Sequence, residues 1–152
     1  MLELPSDDKL YQKFESAIAD QGPGSWRLAV FEGSPEGGAY SWCSDCVAAS
    51  KDLRAFVADY QGRVKVVQFK VGAREEWEGK GHHVSPFRAG FPHLSDLPTA
   101  ILFYGALEVA RILAPRKDDY LYLSRRVEIY DEQIRNGSWV PPKQASHSPR
   151  PV

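Results

Sequence analysis

The chain has 152 residues, enough for one domain with a real hydrophobic core. Lys and Arg number 19 and Asp and Glu 20, for a net charge of -1. That balance, with no basic run, argues against a nucleic-acid or anionic-membrane partner, because phosphate neutralisation needs clustered cations.

The opening "MLELPSDDKL" has neither a cationic start nor an apolar core region, so no secretory signal is expected. No apolar run approaches the roughly 18 residues of a transmembrane helix. We therefore expect a cytoplasmic protein, monomeric and without a membrane partner.

From Asp7 to Asp20, Leu10, Phe14, Ala17 and Ile18 recur at helical spacing. Ser6 or Asp7 can cap this helix, and Gly22-Pro23-Gly24 ends it. Trp26 to Phe31 is short, apolar and bounded by glycine, which predicts a buried strand. The irregular loop "EGSPEGGAYS" leads into a helix from Cys43 to about Tyr60, with Leu53, Phe56, Val57 and Tyr60 on one face. Val64 to Val71 is rich in β-branched residues and predicts a second strand. Residues 72–97 predict one or two short helices inside a long loop.

Thr99 to Tyr104 is another buried strand, joined by a Gly105-Ala106 turn to a hairpin partner over Glu108 to Leu113. After Pro115, Tyr120, Leu123, Val127, Tyr130 and Ile134 mark a last helix from Asp118 to Asn136, closed at Gly137. Residues 138–152 hold four of the eleven prolines and little that could pack. The expectation is a domain over 1–137 and a disordered Pro/Ser-rich tail over 138–152. A strand-helix-strand unit followed by a hairpin implies an α/β fold. Its mixed sheet would have about four to five strands, with helices on both faces.

The chemistry centres on "SWCSDC", which holds the two cysteines of the chain, Cys43 and Cys46. In a reducing compartment such a pair points to catalysis or metal binding. As a staple it would close a tiny loop and stabilise little. Cys43 falls at a helix start, where unpaired N–H groups and the dipole favour a thiolate, the nucleophile of disulfide exchange. Cys46 lies one turn on, within reach and more buried, which keeps it a thiol until needed. Between them, Ser44 could donate to the thiolate and Asp45 would repel it, so both tune the redox chemistry. Trp42 shields the pair and offers a flat contact surface.

Leu97-Pro98-Thr99 precedes a buried strand. Pro98 is a candidate cis bond that would leave the Leu97 backbone open to an extended substrate. No buried Asp is visible on Trp26 to Phe31 to serve Cys46 as acid or base, which leaves Asp45 or water. Trp26 and Trp77 are assigned to packing, Glu75, Glu76 and Glu78 to a solvated face, and Trp139 to no role. His82, His83, His93 and His147 could join the cysteines around zinc, but their spacing is wrong for a finger, so no metal is expected.

The element order, WCxxC at a helix start and Leu97-Pro98-Thr99 together resemble the thioredoxin superfamily. "FEGSPEGGAYSWCSDC", "VGAREEWEGKGHHVSPFR" and "LPTAILFYG" look like one branch, the small cytosolic thioredoxin domain-containing protein 17 family. That branch carries WCPDC after a similar loop. It also has a tryptophan and a Phe-Arg pair in the middle insertion, matched by Trp77 and Phe87-Arg88. The resemblance runs from about Leu10 to Asn136; one departure is Ser44, where the family carries Pro. It implies a thioredoxin-like fold and a thiol–disulfide oxidoreductase that reduces small or exposed disulfides. Cystine-like disulfides and persulfides are typical substrates, and electrons come from NADPH through thioredoxin reductase. Peroxidase and cystine-reductase side activities fit the same family. Cys43 carries over as nucleophile and Cys46 as resolving cysteine, with their disulfide as the redox centre and no bound cofactor. The alternative is a thioredoxin-fold protein-binding module with little turnover.

Overall fold

A computed structural model describes residues 1–19, 24–37, 40–60, 62–79 and 84–142. In chain order the elements are β1 (Leu2–Leu4), α1 (Leu10–Ala19), β2 (Trp26–Glu32), α2 (Ser44–Asp59), β3 (Lys65–Lys70), α3 (Arg74–Glu78), α4 (Pro86–Ala89), β4 (Thr99–Tyr104), β5 (Leu107–Leu113) and α5 (Lys117–Asn136). They form one five-stranded sheet in the order β1-β3-β2-β4-β5. β3 runs parallel to β1 and β2, whereas β4 runs antiparallel to β2 and β5. This is the expected mixed α/β sheet, and β1 is a strand that the sequence pattern does not announce.

The period of two along the central strand β2 divides the core. Ala29 and Phe31 point to one face, with Phe69, Ile101 and Phe103, under α1, α3 and α4. Phe14 is the centre of that face, its ring 5.5, 5.4 and 5.6 Å from those of Phe31, Phe69 and Phe87. Such edge-on pairs add about 0.5–1.5 kcal/mol each beyond burial. Leu28 and Val30 point to the other face, against Leu53 and Phe56 of α2 and Tyr120, Leu123 and Val127 of α5.

The insertion after β3 is fastened by one aromatic side chain per helix. α3 buries Trp77 and α4 buries Phe87, both into the face around Phe14. Arg88 stacks over Trp77, 5.0 Å from its ring centre, and donates to its carbonyl at 2.8 Å. The Phe87-Arg88 pair is thus a packing device. Trp26 is also a packing residue, as expected. Glu75, Glu76 and Glu78 are exposed, and Glu76 accepts from the Ala73 N–H at 3.4 Å.

The end of the chain departs from expectation. Gly137 adopts the left-handed conformation, φ 78°, that lets α5 stop and the chain turn back. Trp139 then packs its ring 5.3 Å from Tyr104, 6.1 Å from Tyr130 and 6.5 Å from Trp26. The assignment of no role to Trp139 is therefore wrong: aromatic surface left open by Trp26 and Tyr104 receives it. The rest of the tail, 143–152, lies outside the described residues, as do Gly22, Pro23, His82, His83 and His147. Among the described residues, no helix is long and apolar enough to cross a membrane.

Candidate active site

The central strand aims the chain at the site. β2 ends at Glu32, a loop follows, and α2 begins at Ser44 with Cys43 as its N-cap. As cap, Cys43 uses its sulfur as a helix-capping oxygen would be used: the Cys46 N–H donates to Cys43 Sγ at 3.3 Å. The Cys43 N–H donates to Ser41 Oγ at 3.1 Å.

The two thiols have opposite surroundings, although both are free. Cys43 is half-buried, and its pKa is lowered to about 7. The main cause is a hydrogen bond from the Cys46 thiol; the Cys46 and Asp45 amides add to it, while burial and the Asp45 carboxylate oppose. Cys46 is 0% exposed. Its thiol is pushed far up, first by that same bond to Cys43 and then by burial and the charges of Cys43 and Glu32. The Gly33 N–H, 3.5 Å from Cys46 Sγ, is the counterweight.

Trp42, Ser44 and Asp45 adjoin the pair along the chain, and Leu97 reaches it across the fold. Ser44 and Asp45 are exposed in the first turn of α2. Asp45 acts in both directions, its carboxylate against the thiolate and its amide for it. Trp42 is pinned by its Nε1–H to the Gly72 carbonyl at 2.9 Å, and the Arg74 guanidinium lies 5.4 Å from its ring centre. Leu97 is buried, with its carbonyl 3.7 Å from Cys43 Sγ as acceptor. The Leu97–Pro98 peptide bond is cis. The Leu97 backbone is not fully open, however, because its N–H donates to Asp96 Oδ1 at 2.9 Å.

Loop and insertion meet beside the pair. The Ser34 N–H donates to the Gly72 carbonyl at 3.0 Å, and the Gly72 N–H donates to Ser34 Oγ at 2.9 Å. Gly33 is there because nothing larger fits: a Cβ would stand 2.6 Å from Trp42 Cε2.

The sequence reading missed the buried carboxylate. Glu32 is 1% exposed at the end of β2, one residue past the predicted strand end. Its Oε1 accepts from Gln68 Nε2 at 2.6 Å and from Lys70 Nζ at 3.0 Å, both on β3. Its Oε2 is buried without a hydrogen-bond partner among the described residues, as are Gln68 Oε1 and Tyr120 Oη. Burial raises the Glu32 carboxyl above its ordinary value, against the pull of Lys70 and Gln68. The buried carboxylate at the end of β2 is a Glu on the face of Leu28 and Val30, one residue past the stretch in which no Asp is found. The alternation past Phe31 places Glu32 on that face, but its burial comes from the register opposite Lys70.

A mixed sheet whose central strand leads to a cysteine pair at a helix N-terminus defines a thioredoxin-type protein. The family model for the thioredoxin domain of thioredoxin domain-containing protein 17-like proteins matches residues 8–113, and the chain belongs to that family. Among solved structures it is similar to Chlamydomonas reinhardtii thioredoxin f2, with 17% identity over 94% of this chain and 99% of that one and a TM-score of 0.55. Chloroplastic thioredoxin z gives 15% identity, 85% and 96% coverage and a TM-score of 0.54. The reduced Schistosoma mansoni thioredoxin pre-protein gives 14%, 83% and 96%, and 0.51. Identities this low show a shared fold alone. No curated protein matches the chain.

Proposed function

We propose that this protein is a thiol–disulfide oxidoreductase that reduces small or exposed disulfides through a Cys43–Cys46 dithiol cycle. The observation that carries the reading is the contrast between the two thiols: one half-exposed and lowered to about 7, the other buried and pushed up. Near neutral pH the first is substantially thiolate and the second stays protonated.

The Cys43 thiolate attacks one sulfur of the substrate disulfide. That S–S bond breaks, one substrate thiol leaves with the electron pair, and a mixed disulfide forms at Cys43. Cys46 then loses its proton and attacks Cys43 Sγ, releasing the second substrate thiol and closing the Cys43–Cys46 disulfide. The substrate gains two electrons and two protons; the protein loses them. Glu32 suits the proton step, since its charge is felt at Cys46 and burial raises its affinity for a proton.

Electrons would return from NADPH through thioredoxin reductase, in a cytoplasmic setting. Trp42 and the Leu97–Pro98 segment would receive the substrate, with Ser44 and Asp45 setting the potential. The test is NADPH oxidation in the presence of thioredoxin reductase, this protein and a disulfide panel. Cystine should be turned over faster than insulin at matched disulfide concentration. No turnover on any disulfide would sink the reading and leave a protein-binding module.

A further inference from the structure

The hydrogen bonding of Leu97 is unequal on its two sides, and the inequality selects among substrates. A residue before proline is pushed towards β or polyproline II backbone, in which its N–H and C=O are free of helical pairing. An extended substrate pairing there uses both groups, as a strand added to a sheet edge does. On the carbonyl side the occupant is the Cys43 thiol, 3.7 Å away. That donor disappears once Cys43 is a thiolate or is bonded to substrate sulfur, so the carbonyl opens as the reaction starts. On the N–H side the occupant is Asp96 Oδ1 at 2.9 Å, and nothing in the reaction removes it. Thr99 Oγ1 donates to the Asp96 carbonyl at 2.8 Å and holds that residue's backbone in place.

We propose that Asp96 is a specificity-determining residue: its carboxylate caps the Leu97 N–H and disfavours substrates that pair through their backbone, while small disulfides are untouched. The proposal rests on the thiol–disulfide reading above and names the substrate class. A peptide must displace a charge-assisted bond to reach the Leu97 N–H. Asp96 is exposed, so its carboxylate can swing into water and the barrier is finite. A disulfide without a peptide backbone needs Cys43 Sγ alone and meets no such barrier.

The experiment is a single turnover of the pre-reduced full chain, with no reductase present. Two probes share one leaving thiol: bis(2-hydroxyethyl) disulfide, and an uncharged octapeptide whose central cysteine is bonded to mercaptoethanol. Asp96→Ala should speed the peptide reaction about two- to tenfold, the factor one net hydrogen bond supplies. The small disulfide should react unchanged. Asp96→Asn keeps an acceptor oxygen without its charge and should accelerate the peptide less than Asp96→Ala, with the small disulfide unchanged. Equal acceleration of both probes, no acceleration of the peptide, or Asp96→Asn following Asp96→Ala would each overturn the cap. Hydrogen exchange at the Leu97 amide gives a readout that needs no chemistry. It should quicken in Asp96→Ala, and unchanged exchange would also overturn the cap. A wild-type protein that reduces neither probe would overturn the reductase reading itself, and the amide exchange tells that failure from a missing cap.

Discussion

Strand β2 begins and ends in two very different environments. At its start, Trp26 stacks on Tyr130, packs against the tilted ring of Tyr104 and meets Trp139 edge-on, and its Nε1–H reaches Asp131 Oδ1 at 2.9 Å. Arg63 neutralises the other oxygen of Asp131 at 2.6 Å. The neighbouring Arg27 has one unpartnered buried nitrogen, but its head group donates to the Ala17 carbonyl. At the far end, Glu32, Gln68 and Tyr120 each bury an oxygen without a hydrogen-bond partner among the described residues, and Cys46 is a fully buried titratable thiol. Buried polar groups are ordinarily paired, because each unpaired one costs about 1–3 kcal/mol. The start of β2 follows that rule closely and serves stability. The far end departs from it where protons and electrons would have to move.

The largest effect expected is at the cysteines. Cys43→Ser should reduce disulfide turnover to background, whereas Cys46→Ser should stop at a mixed disulfide on Cys43, visible as an added mass. Iodoacetamide should label Cys43 with a rate that rises through pH 7, the value to which its thiol is lowered, while Cys46 stays unlabelled in the folded protein. Peptide mapping that found Cys46 modified first would reverse the two roles.

Next comes Glu32. Its carboxyl is raised in the fold, so the native state holds that proton more tightly than the unfolded chain. The stability it contributes is full below the ordinary carboxyl value and lost as pH rises through the folded one. Glu32→Gln removes the loss. At neutral pH the variant should be more stable than wild type, a gap that closes below roughly pH 4. Closure of the Cys43–Cys46 disulfide should meanwhile slow by about a hundredfold. A melt showing Glu32→Gln destabilised at pH 7 would make Glu32 a structural partner of Lys70 and remove the contrast between the ends of β2.

The same contrast explains what could be read without coordinates. α2 and α5 were legible because apolar periodicities mark them, β2 and β4 because short continuous apolar runs do, and the cysteine pair with Leu97–Pro98 is a local pattern. β1 was not: three residues are too few for alternation, and they are held by register with Val67 and Phe69, far along the chain. Glu32 was lost for a related reason. A charge after an apolar run signals solvent, and it is pairing with Gln68 and Lys70 on β3, far along the chain, that accompanies its burial. Asp96 is exposed and resembles any loop acid in the sequence; its bond to the next amide is a matter of backbone geometry.

The smallest effect tests the packed end of β2. Trp139 sits among prolines, and a Pro-rich segment signals a loose tail. Its ring nevertheless contacts Trp26, Tyr104 and Tyr130. It is only partly buried, so its removal forfeits part of a side chain's burial and a few edge-on ring contacts. Trp139→Ala should therefore cost about 1–2 kcal/mol, a fall of about 3–8 °C in Tm. Reduction of a small disulfide should be unchanged, since Trp139 packs around the start of β2 and the thiols lie beyond its other end. A chain ended after Gly137 should melt at or below the temperature of Trp139→Ala, because it also loses the Ser138 and Trp139 N–H groups that donate to the Gln133 carbonyl at 2.9 and 3.2 Å. If neither change moves the melting temperature, the ring contacts carry no stability and this end of the molecule stops at α5. If turnover falls along with stability, the two ends of β2 are coupled and the division between them is wrong.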